Sequence, residues 1–156
     1  CPRTDLHSAI VTSFMAHKGE AEDKHLDLVL DDRSDTGDDC YADMEPSDAS
    51  LVFDNLIENA IMYTDEGSIL VTFEPRGHEI AVIVQDTGIG IPQTDQSRIF
   101  ERFYRVDKAR SREVGGTGLG LSLVRHAVER SKGRVSVKSN PGEGSQFTVV
   151  FPRAKR

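Results

Sequence analysis

Gly115-Gly116-Thr117-Gly118-Leu119-Gly120-Leu121 is a glycine-rich turn that runs directly into an apolar-periodic stretch, Leu119 to Val128. A turn of this kind at a helix start suits an anion. Backbone N–H groups can approach a phosphate closely, and the donors of the first helical turn have no partner inside the helix. Such turns also precede helices for packing reasons alone, so the reading depends on what stands upstream. Three further stretches stand there, in a fixed order.

The 156 residues are enough for one domain with a real core, with 37% hydrophobic and 29% charged residues. No apolar run approaches the ~18–20 residues that span a bilayer, and no signal peptide is visible. The domain itself is expected in the cytoplasm, without membrane contact. A start at Cys1 rather than Met suggests a piece of a longer chain. Cys1 and Cys40 have no paired spacing, which suits reduced thiols. A net charge of −7 argues against a nucleic-acid partner. The basic residues nevertheless cluster in one segment: Arg98, Arg102, Arg105, Lys108, Arg110 and Arg112. That cluster is either a solvated surface or a polyphosphate cover.

Periodicity gives the elements. Leu6, Ala9, Ile10, Ser13, Phe14 and His17 share helical spacing over 6–18. Leu26 to Leu30 alternates as a strand, Asp31 to Asp39 is an acidic turn, and Cys40 to Asp43 suits a short strand. Pro46 fits a first helical turn, and the helix continues through Tyr63 until Glu66-Gly67. Ile69/Val71/Phe73 and Ile80/Val82/Val84 alternate around Pro75 to Gly77, which predicts a hairpin. Gln93 to Gly116 is long and polar, with a helical fragment expected near Ser97–Phe103. A helix over Leu119 to Ser131 follows, then a second hairpin around Asn140-Pro141-Gly142. Helices covering one face of a mixed, mostly antiparallel sheet make a two-layer α/β sandwich.

The first upstream stretch is Asn55-Leu56-Ile57-Glu58-Asn59-Ala60-Ile61-Met62-Tyr63. Asn55 and Asn59, four apart, share one helix face. Two amides on an otherwise apolar face need partners. Those partners are either core groups or a cation. Mg²⁺ takes few protein oxygens besides water and phosphate, so one Asn carbonyl is enough. The second stretch is Asp86-Thr87-Gly88-Ile89-Gly90-Ile91-Pro92, directly after a strand. It is either a capped turn or a place where glycine backbone meets a flat ligand while a carboxylate accepts from an exocyclic amine. The third is Ile99-Phe100-Glu101-Arg102-Phe103-Tyr104-Arg105, whose aromatics can pin a segment and whose arginines can reach phosphate.

Together these stretches resemble the N, G1, F and G2 boxes of the ATP-binding catalytic domain of sensor histidine kinases, over about residues 40–152. The resemblance implies the Bergerat α/β sandwich, with residues 1–156 as one domain and 93–115 as a flexible ATP lid. It implies Mg²⁺ held by Asn59 and the site lined by Asn55. It places Tyr63 beside the nucleotide, Asp86 on the adenine with Gly88 and Gly90 beside it, and Arg105 near the terminal phosphate. Gly116, Thr117, Gly118, Leu119 and Gly120 correspond to the phosphate cradle, and residues 142–151 to the closing strand. ATP and Mg²⁺ are the implied cofactors. The implied partners are a histidine-containing dimerisation domain of the same protein and, indirectly, a response regulator. The implied parent chain is a membrane-anchored sensor with this domain on its cytoplasmic side.

Hydrolytic relatives usually carry Glu where this chain has Asn55, and an amide cannot serve as a base. That favours transfer to an acceptor over hydrolysis; a hydrolytic ATPase and a non-catalytic nucleotide-binding module remain as alternatives. Glu58 lies about 300° around the helix from Asn55 and is not given that role. Met62 stands where the family commonly has Lys, so phosphate binding must lean on Mg²⁺ and backbone donors. Only His78-Glu79 matches an acceptor dipeptide, and it falls in a predicted hairpin turn. The acceptor domain is therefore expected outside this chain.

Overall fold

A computed structural model of the chain describes residues 2–101 and 120–155. It opens with a short strand, β1 (Arg3–Asp5), and a long helix, α1 (Leu6–Asp23). The Asp5 side chain caps α1 by accepting from the Ser8 N–H at 3.2 Å. Leu6, Ile10, Phe14 and Ala21 form its buried stripe. The helix runs one turn beyond the expected residue 18 and stops where His25 takes a positive φ of 60°. Strands β2 (Asp27–Asp32) and β3 (Tyr41–Asp43) follow. β1 and β3 pair antiparallel as a separate two-stranded sheet. The sequence carries no periodic signal for β1, which is only three residues long.

Helix α2 (Pro46–Met62) begins with proline at its first turn, as expected, and buries Val52, Phe53, Leu56, Ile57, Ala60 and Ile61. Both expected hairpins form: β4 (Ser68–Arg76) with β5 (Glu79–Asp86), and β6 (Arg134–Asn140) with β7 (Gly144–Pro152). His78 lies in the exposed turn of the first. The five-stranded sheet has the order β2-β4-β5-β7-β6, and only the β2–β4 pairing is parallel. Between the hairpins lie a one-turn helix, α3 (Gln93–Gln96), and helix α4 (Gly120–Arg130).

Alternation along the strands separates the two faces of the sheet. Ile69, Val71, Phe73, Ile80, Val82, Val84, Phe147, Val149 and Phe151 join α1, α2 and α4 in one core. Phe53 of α2 meets Phe151 of β7 edge to face, with ring centroids 6.1 Å apart. On the opposite face Val29 and Leu70 stay exposed, and the outward residues of β6 are all exposed. Among the described residues the architecture is the expected two-layer sandwich, a mixed and mostly antiparallel sheet under α1, α2 and α4. Two details differ. The acidic turn begins two residues late, because Asp31 and Asp32 still pair with Thr72 and Phe73. The helical fragment near Ser97–Phe103 starts earlier, at Gln93, where Pro92 sets the entry and Gln96 Nε2 donates to the Ile91 and Ser139 carbonyls. Residues 97–100 are turns, and 102–103 lie outside the described residues.

Candidate nucleotide site

Strand pairing creates the floor of the site. The register sets Asp86, the last residue of β5, beside Ile69 on one side and Ser145 on the other. Asp86 has the same parity as Ile80, Val82 and Val84, so its side chain enters the helix-covered layer and is only 4% exposed. Its Oδ1 accepts from the Gly88 N–H at 2.9 Å and the Ser145 N–H at 3.2 Å. Among the described residues Oδ2 accepts nothing. Burial raises the Asp86 pKa above the ordinary carboxylate range, and the two backbone donors only partly offset that. A buried carboxylate with one oxygen unused suits a ligand amine better than it suits stability.

The loop after β5 is clamped from both sides. Ile89 N–H donates to the Tyr63 carbonyl at 3.1 Å, and the Ile89 carbonyl accepts from Gly142 N–H at 2.8 Å. Gly90 has a φ of +75°, and a Cβ there would fall 2.2 Å from the Asn140 carbonyl oxygen. Ser139 Oγ accepts from Ile91 N–H and donates to the Gly144 carbonyl, so the Ser145 hydroxyl, 3.0 Å away, acts as its donor. Ser139 and Ser145 thus steady Asp86 and its loop. The sequence reading missed both, since they come into play only when a hairpin more than fifty residues downstream pairs with β5.

Helix α2 supplies the facing wall. Asn55 Nδ2 donates to the Leu51 carbonyl at 2.7 Å, which leaves Oδ1 as the outward group. That oxygen lies 2.7 Å from where a Cβ on Gly120 would sit. Helix α4 therefore begins in contact with α2, and the last glycine of the glycine-rich turn meets the first site Asn. Asn59, one turn further, is half-buried, and its side chain makes no hydrogen bond among the described residues. Its carbonyl oxygen is a hard donor of the type Mg²⁺ takes, so the residue fits that ion. Tyr63 caps the helix and is half-buried.

The described residues thus bring together Asn55, Asn59, Tyr63, Asp86, Gly88, Gly90 and Gly120. Arg105, Gly116, Thr117, Gly118 and Leu119, with residues 102–115 and all of the basic cluster except Arg98, lie outside the described residues. The start of that segment is anchored. Ile99 is buried, and the Phe100 ring meets Phe147 edge to face at 6.2 Å.

A neighbouring polar cluster has a different character. His17 of α1 is buried, with Nδ1 2.8 Å from the Ser13 carbonyl and Nε2 3.1 Å from Glu58 Oε1. Ser13 Oγ donates to Asp54 Oδ1 at 2.7 Å. Burial lowers the His17 pKa, but the bonds to Ser13 and Glu58 and the charge of Asp54 outweigh it and hold the ring above its ordinary value. Glu58 is thus engaged with α1, away from the site.

Residues 44–155 match the family described as histidine kinase-, DNA gyrase B-, and HSP90-like ATPase. The chain is 39% identical over 149 residues to the sensor-like histidine kinase SenX3 of Mycolicibacterium smegmatis, covering 95% of this chain and 38% of that protein. It is 38% identical over 137 residues to the sensor histidine kinase WalK of Bacillus subtilis, covering 84% of this chain and 21% of that one. The chain therefore spans well under half of these relatives. Among solved structures, the catalytic domain of the histidine kinase ThkA superposes with a TM-score of 0.82 at 24% identity, covering 99% of this chain and 98% of that one. Full-length ShkA in complex with AMPPNP gives 0.82 at 24% identity over 99% of this chain and 31% of that one. At this identity the structural likenesses speak for the fold.

Proposed function

The chain belongs to the histidine kinase-, DNA gyrase B- and HSP90-like ATPases, as a histidine kinase catalytic domain, and we propose that it donates the γ-phosphoryl group of Mg·ATP to a histidine on a companion dimerisation domain of the same protein. In this reading residues 1–156 form one cytoplasmic ATP-binding domain, and the acceptor histidine and the downstream response regulator lie elsewhere. Among the described residues no helix is long and apolar enough to cross a membrane.

The observation that carries the reading is Asp86: a buried carboxylate, fixed through Oδ1, with Oδ2 left for the adenine amine. Tyr63 flanks the base, and Gly88 and Gly90 let the loop backbone approach it. Asn59 Oδ1 would hold Mg²⁺, which would offset the charge of the phosphates. Asn55 Oδ1 faces Gly120 at the start of α4; by the family resemblance Gly116, Thr117, Gly118, Leu119 and Gly120 are the phosphate-binding stretch, and Arg105 is the cation for the terminal phosphate. Positioning and charge stabilisation do most of the work in phosphoryl transfer, so this domain needs no base of its own.

Asn55 also argues against hydrolysis as the main reaction. Its amide cannot take a proton from water, and the neighbouring Glu58 is engaged by His17. The test is labelled-phosphate transfer from γ-labelled ATP with the acceptor domain attached. A stable, acid-labile phosphoprotein is the expected product. Rapid release of inorganic phosphate with no labelled protein would overturn the assignment in favour of an ATPase.

A further inference from the structure

The open face of the sheet, opposite the helices, carries charge at both ends but handles it differently. Near one end the charges pair off: Arg134 Nη1 lies 2.6 Å from Glu79 Oε2, and Arg76 Nη2 2.7 Å from Glu74 Oε2. Toward the other end, strand pairing puts Gln85 of β5 beside Gln146 of β7, and Gln146 beside Lys138 of β6. Alternation turns these three side chains away from the helices, on the reverse of the wall that carries Asp86, Ser139 and Ser145. The next pair on the open face is Asn140 with Gly144. Gly144 has a φ of +104°, and a Cβ there would collide with the Asp86 carbonyl, so the position must stay bare. The face is hollow where that side chain is missing. A cavity of about 210 Å³ lies there, with Gln85, Gln146, Lys138, Asn140 and Glu143 around Gly144. None of these five polar side chains has a hydrogen-bond or ion-pair partner among the described residues. Lys138 and Glu143 line one cavity with opposite charges and do not bridge.

We propose that this cavity binds a small zwitterion of the amino-acid type, with the ligand carboxylate on Lys138 and the ligand ammonium on Glu143. The amides of Gln85, Gln146 and Asn140 both donate and accept, so they can complete either pole. The charge of the lining is balanced, which selects against a plain anion or a plain cation: each would meet one attractive and one repulsive group. The volume exceeds what a few waters need and falls below the ~300–1,000 Å³ of pockets for drug-sized ligands, which suits a single amino acid. Exposed charges contribute little each, so the affinity is expected in the millimolar range. This site is separate from the nucleotide site and does not depend on the ATP reading.

The experiment titrates the wild-type chain with glycine, L-serine and L-glutamine and follows the backbone amide signals by NMR. The signals of Gln85, Gly144 and Gln146 should move and saturate with at least one of them. Ethanolamine, which is serine without its carboxylate, and 3-hydroxypropionate, which is serine without its ammonium, should bind severalfold more weakly than L-serine. Lys138→Glu and Glu143→Lys should each abolish the saturable shift. The double variant Lys138→Glu with Glu143→Lys should regain it, because a zwitterion can bind with its poles exchanged. No saturable shift with any of the three amino acids would overturn the proposal. So would binding of ethanolamine or 3-hydroxypropionate as tight as that of L-serine, or single variants that bind like the wild type. If the variants fail to fold, the comparison of the three serine-related ligands on the wild-type chain decides alone.

Discussion

Helix α2 carries two polar pairs at the same four-residue spacing, offset by a single residue: Asp54 with Glu58, and Asn55 with Asn59. The first pair meets α1. Asp54 accepts from Ser13, and Glu58 engages His17, so these side chains find partners within the fold. The second pair meets the proposed site. Asn55 satisfies its amide nitrogen on its own helix and turns its oxygen toward the start of α4, while Asn59 bonds to nothing among the described residues. Spacing alone does not separate a structural pair from a functional one. What separates them is whether the chain itself supplies the partners.

The sharpest way to break this comparison is to remove one member from each side. Asn59→Ala should abolish the Mg²⁺-dependent tightening of ATP binding, about tenfold or more, because a ligand to a charged group is worth ~1.5–3 kcal/mol. Its apo melting temperature should be close to that of the wild type. Calorimetry with and without Mg²⁺ checks the first, and calorimetric melting the second.

His17→Ala should do the reverse. Loss of a buried ring bonded at both nitrogens should lower stability by ~1–3 kcal/mol and leave ATP affinity unchanged. Chemical denaturation beside nucleotide titration separates the two effects.

The same contact has a pH signature. The folded-state pKa of His17 is raised, so its contribution is complete below the ordinary imidazole value of about 6.5 and is lost as pH rises through the folded value. The stability difference between wild type and His17→Ala should therefore shrink as pH rises from about 6.5. Ser13, Asp54 and Glu58 are the groups facing the ring. A difference that grows with pH would contradict the assignment.

The smallest expected effect is that of Met62→Lys. Met62 is half-buried on the last turn of α2, next to Tyr63. An added ammonium near polyphosphate gains ~1.5–3 kcal/mol before side-chain ordering and screening take back most of it, so ATP binding should tighten only severalfold. Weaker binding with a lower melting temperature would identify Met62 as a core residue.

How much of this was legible in the sequence follows from the range of each interaction. Helix α2 and both hairpins were readable because period and turn residues are local, and Pro46, Gly67 and Gly77 mark their limits. The angular argument that set Glu58 aside from Asn55 agrees with its engagement by His17. The helical spacing that grouped His17 with Leu6, Ile10 and Phe14 placed it inward, but nothing local revealed that Asp54 and Glu58 would meet it forty residues on. β1 is too short to have a period. Ser139 and Ser145 reach Asp86 only through β5–β7 pairing. The site glycines were recognisable as a motif, whereas the contact between Asn55 and Gly120 required the fold.

The most direct test of the central claim compares ATP binding by calorimetry, in Mg²⁺, for the wild-type chain and Asp86→Asn, with the melting temperature of each apo protein. Burial disfavours the Asp86 carboxylate at neutral pH, and an amide oxygen can still accept from Gly88 and Ser145, so the variant should melt no lower than the wild type. Its ATP affinity should nevertheless fall about tenfold or more, because an amide nitrogen at the Oδ2 position donates where the adenine amine needs an acceptor. A stable Asp86→Asn protein that binds ATP as tightly as the wild type would contradict the account.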